Sequence, residues 1–136
     1  MKTCTSFLFI TGLLLASACG TKQEQQATEK PLYDQVMDVH DEVMPFMGEL
    51  NRLKRELTDK LTIAQDMPLE ERQSLEQTIQ KIDSASRGMM VWMREFNPEA
   101  YEGEEKQRYL EQEMVHVQKI KTDILEALEE GRKASQ

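Results

Sequence analysis

The chain has 136 residues, enough for one domain, with 31% charged residues, 6% aromatic residues, 6 Gly and 4 Pro. This composition, rich in Glu, Gln, Lys, Leu and Met, is typical of an all-helical protein. The net charge of -8, with acidic and basic residues interspersed, argues against nucleic-acid binding, because basic side chains that neutralise phosphates supply most of that affinity.

Residues 1–18 have the pattern of a cleaved bacterial export signal. Lys2 supplies positive charge, and residues 7–15 form an apolar core that is too short to cross a bilayer as a helix. Residues 15–19, Leu-Ala-Ser-Ala-Cys, then resemble a lipobox, the site where lipoprotein precursors receive a diacylglyceryl group on Cys and are cut before it. We expect lipidation of Cys19 with fatty acids such as palmitate. The alternative is an ordinary secretory signal followed by an incidental Cys.

Cysteine usage favours the lipoprotein interpretation. Cleavage removes Cys4, so Cys19 would be the only thiol of the mature chain and no internal disulfide could form. Two or three acyl chains on Cys19 would hold the protein firmly in a membrane of the cell envelope. Gly20 follows, where an Asp would favour retention in the inner membrane, so the outer membrane is favoured. Residues 19–30 are polar and aperiodic, which predicts a flexible tether.

Apolar residues at alternating spacings of three and four predict three helices in a domain spanning residues 31–133. The first begins near Pro31 and ends near Pro68, with a kink or break at residues 44–48 because Pro45 has no N–H to donate and Gly48 follows. The second runs from Pro68 to Asn97, and the third from about Glu104 to Arg132. Their predicted apolar seams are Val36, Val39, Val43, Phe46, Leu50, Leu53 and Leu57; Leu75, Ile79, Ile82, Ser86, Met89, Met93 and Phe96; and Leu110, Met114, Val117, Lys121, Ile124 and Leu128.

Short links between long helices make sequential neighbours antiparallel, so the sequence predicts an elongated, up-down-up three-helix bundle. The alternative is a helical hairpin whose third helix completes a partner's bundle. In either arrangement, antiparallel pairing brings methionines from different helices to the end of the bundle that contains His40 and Trp92. They are Met37, Met44, Met47, Met89, Met90, Met93 and Met114.

Two functional hypotheses and one structural explanation compete for this cluster. Thioether and imidazole groups suit Cu(I), which predicts a metal site formed by His40 and Met44 with Met90 or Met93 across the helix interface. His116 lies too far along the axis to join it. Alternatively, Met37, Met47 and Trp92 form a docking surface for an apolar partner segment. The structural explanation is that methionine, a flexible side chain, simply fills the core.

Three segments carry a resemblance to a known group of proteins. His40-Asp41-Glu42-Val43-Met44-Pro45, the following 47–50, Met-Gly-Glu-Leu, and 89–96, Met-Met-Val-Trp-Met-Arg-Glu-Phe, together resemble small uncharacterised bacterial lipoproteins. Some members of that group carry the label "viral A-type inclusion protein", which reflects general coiled-coil similarity. The resemblance implies a lipoprotein and does not point to an enzyme.

No catalytic motif stands out, since no Ser-His-acid pattern and no Gly-rich phosphate loop occurs in the sequence. The sequence therefore predicts a membrane-anchored, non-enzymatic interaction or scaffold module without a cofactor, attached through Cys19 and acting on an unknown protein partner. The alternative is a Cu(I)-binding or copper-delivery lipoprotein.

Overall fold

The computed structural model describes residues 30–136, and within them every regular element is helical. The predicted signal, Cys19 and the tether up to residue 29 lie outside the described residues. The four α-helices are α1 (Leu32–Val43), α2 (Met47–Ile63), α3 (Leu69–Glu95) and α4 (Gly103–Ala134). They form three helical segments, because α1 and α2 follow each other through a short 3-10 turn, and these segments pack against one another.

Proline sets most of the helix boundaries. Pro31 and Pro68 directly precede α1 and α3, and each carbonyl accepts a hydrogen bond from the amide four residues on. Pro45 lies in the 3-10 turn Met44–Phe46, which confirms the predicted break in the first helix. Its missing N–H and fixed φ explain why the α-helical hydrogen-bond pattern is interrupted there. Asn97, with φ -140° and ψ 72°, lies outside the helical region before Pro98, as expected of a residue that precedes proline.

The helices share one core, and Gly131 of α4 lies close to side chains of two other helices there. A methyl group added there would lie 3.0 Å from Ile82 Cδ1 of α3 and 3.1 Å from Leu53 Cδ1 of α2. Gly131 therefore allows α4 to approach both other segments at once. The core consists of buried apolar side chains from all four helices: Val36, Val43, Leu50, Leu53, Leu57, Leu75, Ile82, Ala85, Met89, Trp92, Val117, Ile120, Ile124, Ala127 and Leu128.

Ion pairs join the helices around the core. Lys121 of α4 donates to Glu42 of α1 at 2.6 Å, and Arg132 of α4 holds both carboxylate oxygens of Glu49 in α2, at 2.9 and 2.7 Å. Lys81 of α3 donates to Glu130 of α4 at 2.5 Å. Such pairs are partly exposed and contribute little to stability individually, but they fix which positions of neighbouring helices lie side by side.

Candidate functional site

His40 is held in a defined orientation on the buried face of α1. The residue is 9% exposed, and its Nδ1 lies 2.8 Å from Asp41 Oδ1. When Nδ1 carries the ring proton it donates to this carboxylate, and Nε2 then retains its lone pair. The imidazole centroid lies 5.7 Å from that of Trp92, so the ring faces α3. A carboxylate that orients a histidine in this way is common behind metal-binding imidazoles.

Trp92 belongs to the core, which corrects its assignment to a docking surface. The residue is only 2% exposed, its ring stacks on Phe96 with centroids 4.8 Å apart, and its Nε1–H donates to Glu113 Oε2 of α4 at 2.6 Å. An indole that is buried and satisfied on both its apolar and polar sides has no free face for a partner. Its role is to join α3 to α1 and α4.

The methionines predicted to cluster around His40 differ sharply in exposure. Met37, Met44 and Met47 are partly buried against the core, and Met89 is fully buried. Met90 and Met93 of α3 are 56% and 41% exposed, although Met93 was expected in the apolar seam. Another face of α3 makes the contact between Trp92 and His40, because Met90 lies about 160° and Met93 about 100° around the helix from Trp92. We call the exposed pair, Met90 and Met93, the methionine surface.

The candidate Cu(I) ligands thus occupy two different environments. His40 is buried and Met44 half-buried, whereas Met90 and Met93 lie on the exposed side of α3. Residues 30–136 contain no group of three or more His, Cys, Asp or Glu that could hold a metal ion. His116 is exposed on α4, and its Nδ1 lies 3.7 Å from the same Glu113 carboxylate oxygen that accepts the Trp92 N–H.

An aromatic cluster close to this region was missed by sequence reasoning. Phe96, at the end of α3, stacks with Tyr33 of α1 and Tyr109 of α4, with centroid distances of 6.0 and 6.1 Å. Tyr101 stacks on Tyr109 at 4.6 Å. Tyr33 and Tyr101 remain 41% and 39% exposed. We call this region the tyrosine end, because the three tyrosines of the chain gather there from distant positions of the sequence.

Tyr109 is the partly buried member of the tyrosine end. Its hydroxyl accepts a hydrogen bond from the Asn97 backbone N–H at 2.9 Å. Burial raises the pKa of Tyr109, because the phenolate would lose solvation, while the hydrogen bond from Asn97 opposes that rise. The ring therefore fixes the loop between α3 and α4 against both helices.

The opposite end of the domain carries a second exposed apolar region, which sequence reasoning also missed. Ile63, at the end of α2, and Leu69, at the start of α3, are 79% and 69% exposed. Lys60 Nζ donates to the Ala134 carbonyl at 3.2 Å, which places the end of α4 beside this turn. A groove of about 560 Å³ at the turn is lined by Ile63, Met67 and polar neighbours. We call this region the far end.

Comparison of the chain with known protein families, curated sequences and solved structures found no match. The resemblance to small bacterial lipoproteins therefore stays a hypothesis. Within residues 30–136, no helix combines the length and apolar character needed to cross a bilayer.

Proposed function

We propose that the protein is a lipoprotein of the bacterial cell envelope, anchored in the outer membrane by acyl chains on Cys19. The support comes from the sequence: a short apolar segment ends in Leu-Ala-Ser-Ala-Cys, and Cys19 is the only thiol left after cleavage. Two or more acyl chains bind a bilayer firmly, whereas one chain binds only marginally. In a bacterial host, the wild-type chain should fractionate with outer membranes and Cys19→Ser should not; equal fractionation of both would contradict lipid anchoring.

The helical domain, in this proposal, acts as a non-enzymatic interaction or scaffold module. The observation that carries it is the exposure of Met90 and Met93, three residues apart on α3. Methionine is flexible and polarisable, so a surface rich in it adapts to apolar partner segments. Exposed apolar side chains grouped at one place on a soluble domain commonly mark an interaction surface.

Site-specific photocrosslinking in cells tests the interaction proposal. The photoreactive residue p-benzoylphenylalanine replaces Met90, and a control chain carries it at Val115, an exposed apolar position on α4 at 68%. We expect a discrete adduct from Met90 that is absent from Val115 and disappears when Met93→Asp is added. Adducts of equal pattern at both positions, or an adduct indifferent to Met93→Asp, would contradict a docking role for the methionine surface.

A Cu(I)-binding or copper-delivery lipoprotein is the second candidate. The contact between His40 Nδ1 and Asp41 favours it, because donation from Nδ1 would leave Nε2 free to act as a ligand, and Met44 follows four residues later in the sequence. Met90 or Met93 would complete the soft ligand set. Cu(I) titration against a competing chelator should show binding that His40→Ala with Met44→Ala removes and Met67→Ala, at the far end, retains. Binding unaffected by the double substitution would exclude this site.

We also propose the elongated up-down-up arrangement for the three helical segments. Two ion pairs support this arrangement. Lys81 of α3 pairs with Glu130 of α4, and Glu49 of α2 pairs with the nearby Arg132, so α2 and α3 both lie beside the same part of α4. In a chain trimmed to begin at Gly20, Lys81→Cys with Glu130→Cys should form a disulfide within one molecule. Exclusive formation of disulfide-linked dimers would instead favour a hairpin whose third helix completes a partner's bundle.

A further inference from the structure

The tyrosine end has the amphipathic character of a membrane-interface contact. Tyr33 and Tyr101 have apolar ring faces fixed by stacking on Phe96 and Tyr109, yet both remain about 40% exposed. Neither hydroxyl has a hydrogen-bond partner among residues 30–136. Tyrosine is enriched at bilayer interfaces, where its ring enters the apolar boundary and its hydroxyl meets headgroups and water. Rings that are already ordered lose little conformational entropy when such a contact forms.

The tether ends at this same part of the domain. Lys30 directly precedes α1, and Tyr33 lies in its first turn. Residues 20–30 join Cys19 to α1, and eleven residues reach no more than about 40 Å even when fully extended. The 32 residues of α4 extend about 48 Å towards the far end. Anchoring at Cys19 therefore keeps the tyrosine end near the bilayer, at a high local concentration that makes even a weak contact effective.

We infer that Tyr33 and Tyr101 form a membrane-contact site that rests on the lipid surface and directs the far end away from the bilayer. This inference depends on the proposed anchoring through Cys19. Acidic side chains, among them Glu95, Glu99 and Glu102, outnumber basic ones around the tyrosine end. Anionic headgroups would repel these carboxylates, so we expect the site to contact a bilayer surface of zwitterionic phospholipid.

Tryptophan fluorescence in reconstituted vesicles tests the inference. The full chain is produced in a bacterial host, purified with its lipid and reconstituted in phosphatidylcholine vesicles containing acyl chains brominated near the interface. Three variants are compared with the parent: Tyr33→Trp, Tyr101→Trp and, as the control, Leu69→Trp. Leu69 is a suitable control because it is 69% exposed, more than either tyrosine. If apolar exposure alone caused membrane contact, Leu69→Trp would be quenched more strongly than the two tyrosine variants. Trp92 is buried and present in every chain, so its emission is subtracted as the parent signal.

We expect the emission of Tyr33→Trp and Tyr101→Trp to shift to the blue and to be quenched by the brominated lipid, while Leu69→Trp is unaffected. The quenching should weaken when anionic lipid replaces part of the phosphatidylcholine. Quenching of Leu69→Trp alone, or of no variant, would overturn the inference. A second copy of the chain or a protein partner on the tyrosine end would instead give a blue shift without lipid quenching.

The anchoring proposal and the contact inference can fail separately. Mass spectrometry of the purified chain shows whether Cys19 carries lipid. If it does not, the thiol of Cys19 can be coupled to a maleimide-bearing phospholipid in a chain that begins there and keeps every residue from 30 to 136. Quenching at Tyr33→Trp and Tyr101→Trp in that chain would support the contact site even though natural lipidation had failed.

Discussion

Replacing Trp92 by Ala is expected to destabilise the domain by about 3–5 kcal/mol, the usual cost of truncating a buried aromatic side chain. The residue is 2% exposed and stacks on Phe96, so the substitution leaves a cavity between α3, α1 and α4. It also leaves the partly buried Glu113 carboxylate without the indole donor. A domain of this size has a free energy of unfolding of about 5–15 kcal/mol, so the loss is a large fraction of the total.

The assay is urea-induced unfolding followed by circular dichroism, with two comparison variants. Trp92→Phe keeps the stacking ring but loses the hydrogen bond, which predicts an intermediate loss of about 1–3 kcal/mol. Met90→Ala, at an exposed position only two residues away, should change stability by no more than about 0.5 kcal/mol. If Trp92→Ala were as mild as Met90→Ala, the indole would not be a core residue and its assignment to a docking surface would return.

Three further predictions address packing and charge. Gly88→Ala adds a methyl group into open space within α3 and should stabilise the domain by up to about 1 kcal/mol. Gly131→Leu should destabilise it, because the larger side chain would overpack against α2 and α3. Thermal unfolding compares the two variants, and equal effects on stability would contradict the close approach at Gly131. The hydrogen bond from Arg132 lowers the pKa of Glu49 below its ordinary value of 4.5. This ion pair therefore stabilises the folded state above pH 4.5, and the stabilisation is lost as the pH falls through the lowered pKa. The free energy of unfolding should fall less steeply with decreasing pH in Arg132→Gln, and an unchanged pH dependence would argue against the pair. Burial raises the pKa of Tyr109, so a near-ultraviolet titration of the wild type should show one phenol that ionises above the ordinary range. That ionisation should be absent from Tyr109→Phe, and identical titrations of the two chains would contradict the burial of the Tyr109 hydroxyl.

Helix positions were predictable from the sequence because local chemistry decides them. The second predicted helix, from Pro68 to Asn97, corresponds to Leu69–Glu95 in the structure. The break at residues 44–48 follows from the missing donor of Pro45, which no tertiary contact can replace. Helix boundaries of this kind depend on residues within one or two turns, so apolar spacing and proline placement are sufficient signals.

The rotation of α3 about its own axis was not predictable from a seven-residue seam. The expected seam placed Ser86 and Met93 inside; the structure encloses the Ser86 hydroxyl and buries Ala85 and Trp92, but leaves Met93 41% exposed. A helix that packs against two neighbours buries a wider arc than a two-helix seam, and its larger side chains select the centre of that arc. Trp92 brings more apolar surface and a bond to Glu113, so it displaces Met93 towards solvent.

The candidate site was predictable only in part. His40 does face the end of α3, as expected from antiparallel pairing, but its contact there is the ring of Trp92. The tyrosine end escaped the sequence analysis because Tyr33, Tyr101 and Tyr109 obey no common periodicity; only tertiary packing around Phe96 brings them together. The exposed Ile63 and Leu69 were missed for the opposite reason, since each lies at a helix end where apolar spacing gives no direction.

We propose that this helical domain acts at a bilayer to which Cys19 attaches it, a claim that the N-terminal peptide of the protein purified from cells can decide. Tryptic cleavage after Lys22 releases residues 19–22 of the mature chain, Cys-Gly-Thr-Lys. Mass spectrometry should find this peptide beginning at Cys19 and carrying a diacylglyceryl group, with or without a further acyl chain on its amino group. The same peptide with a free thiol, or a mature chain that begins at another residue, would contradict the claim.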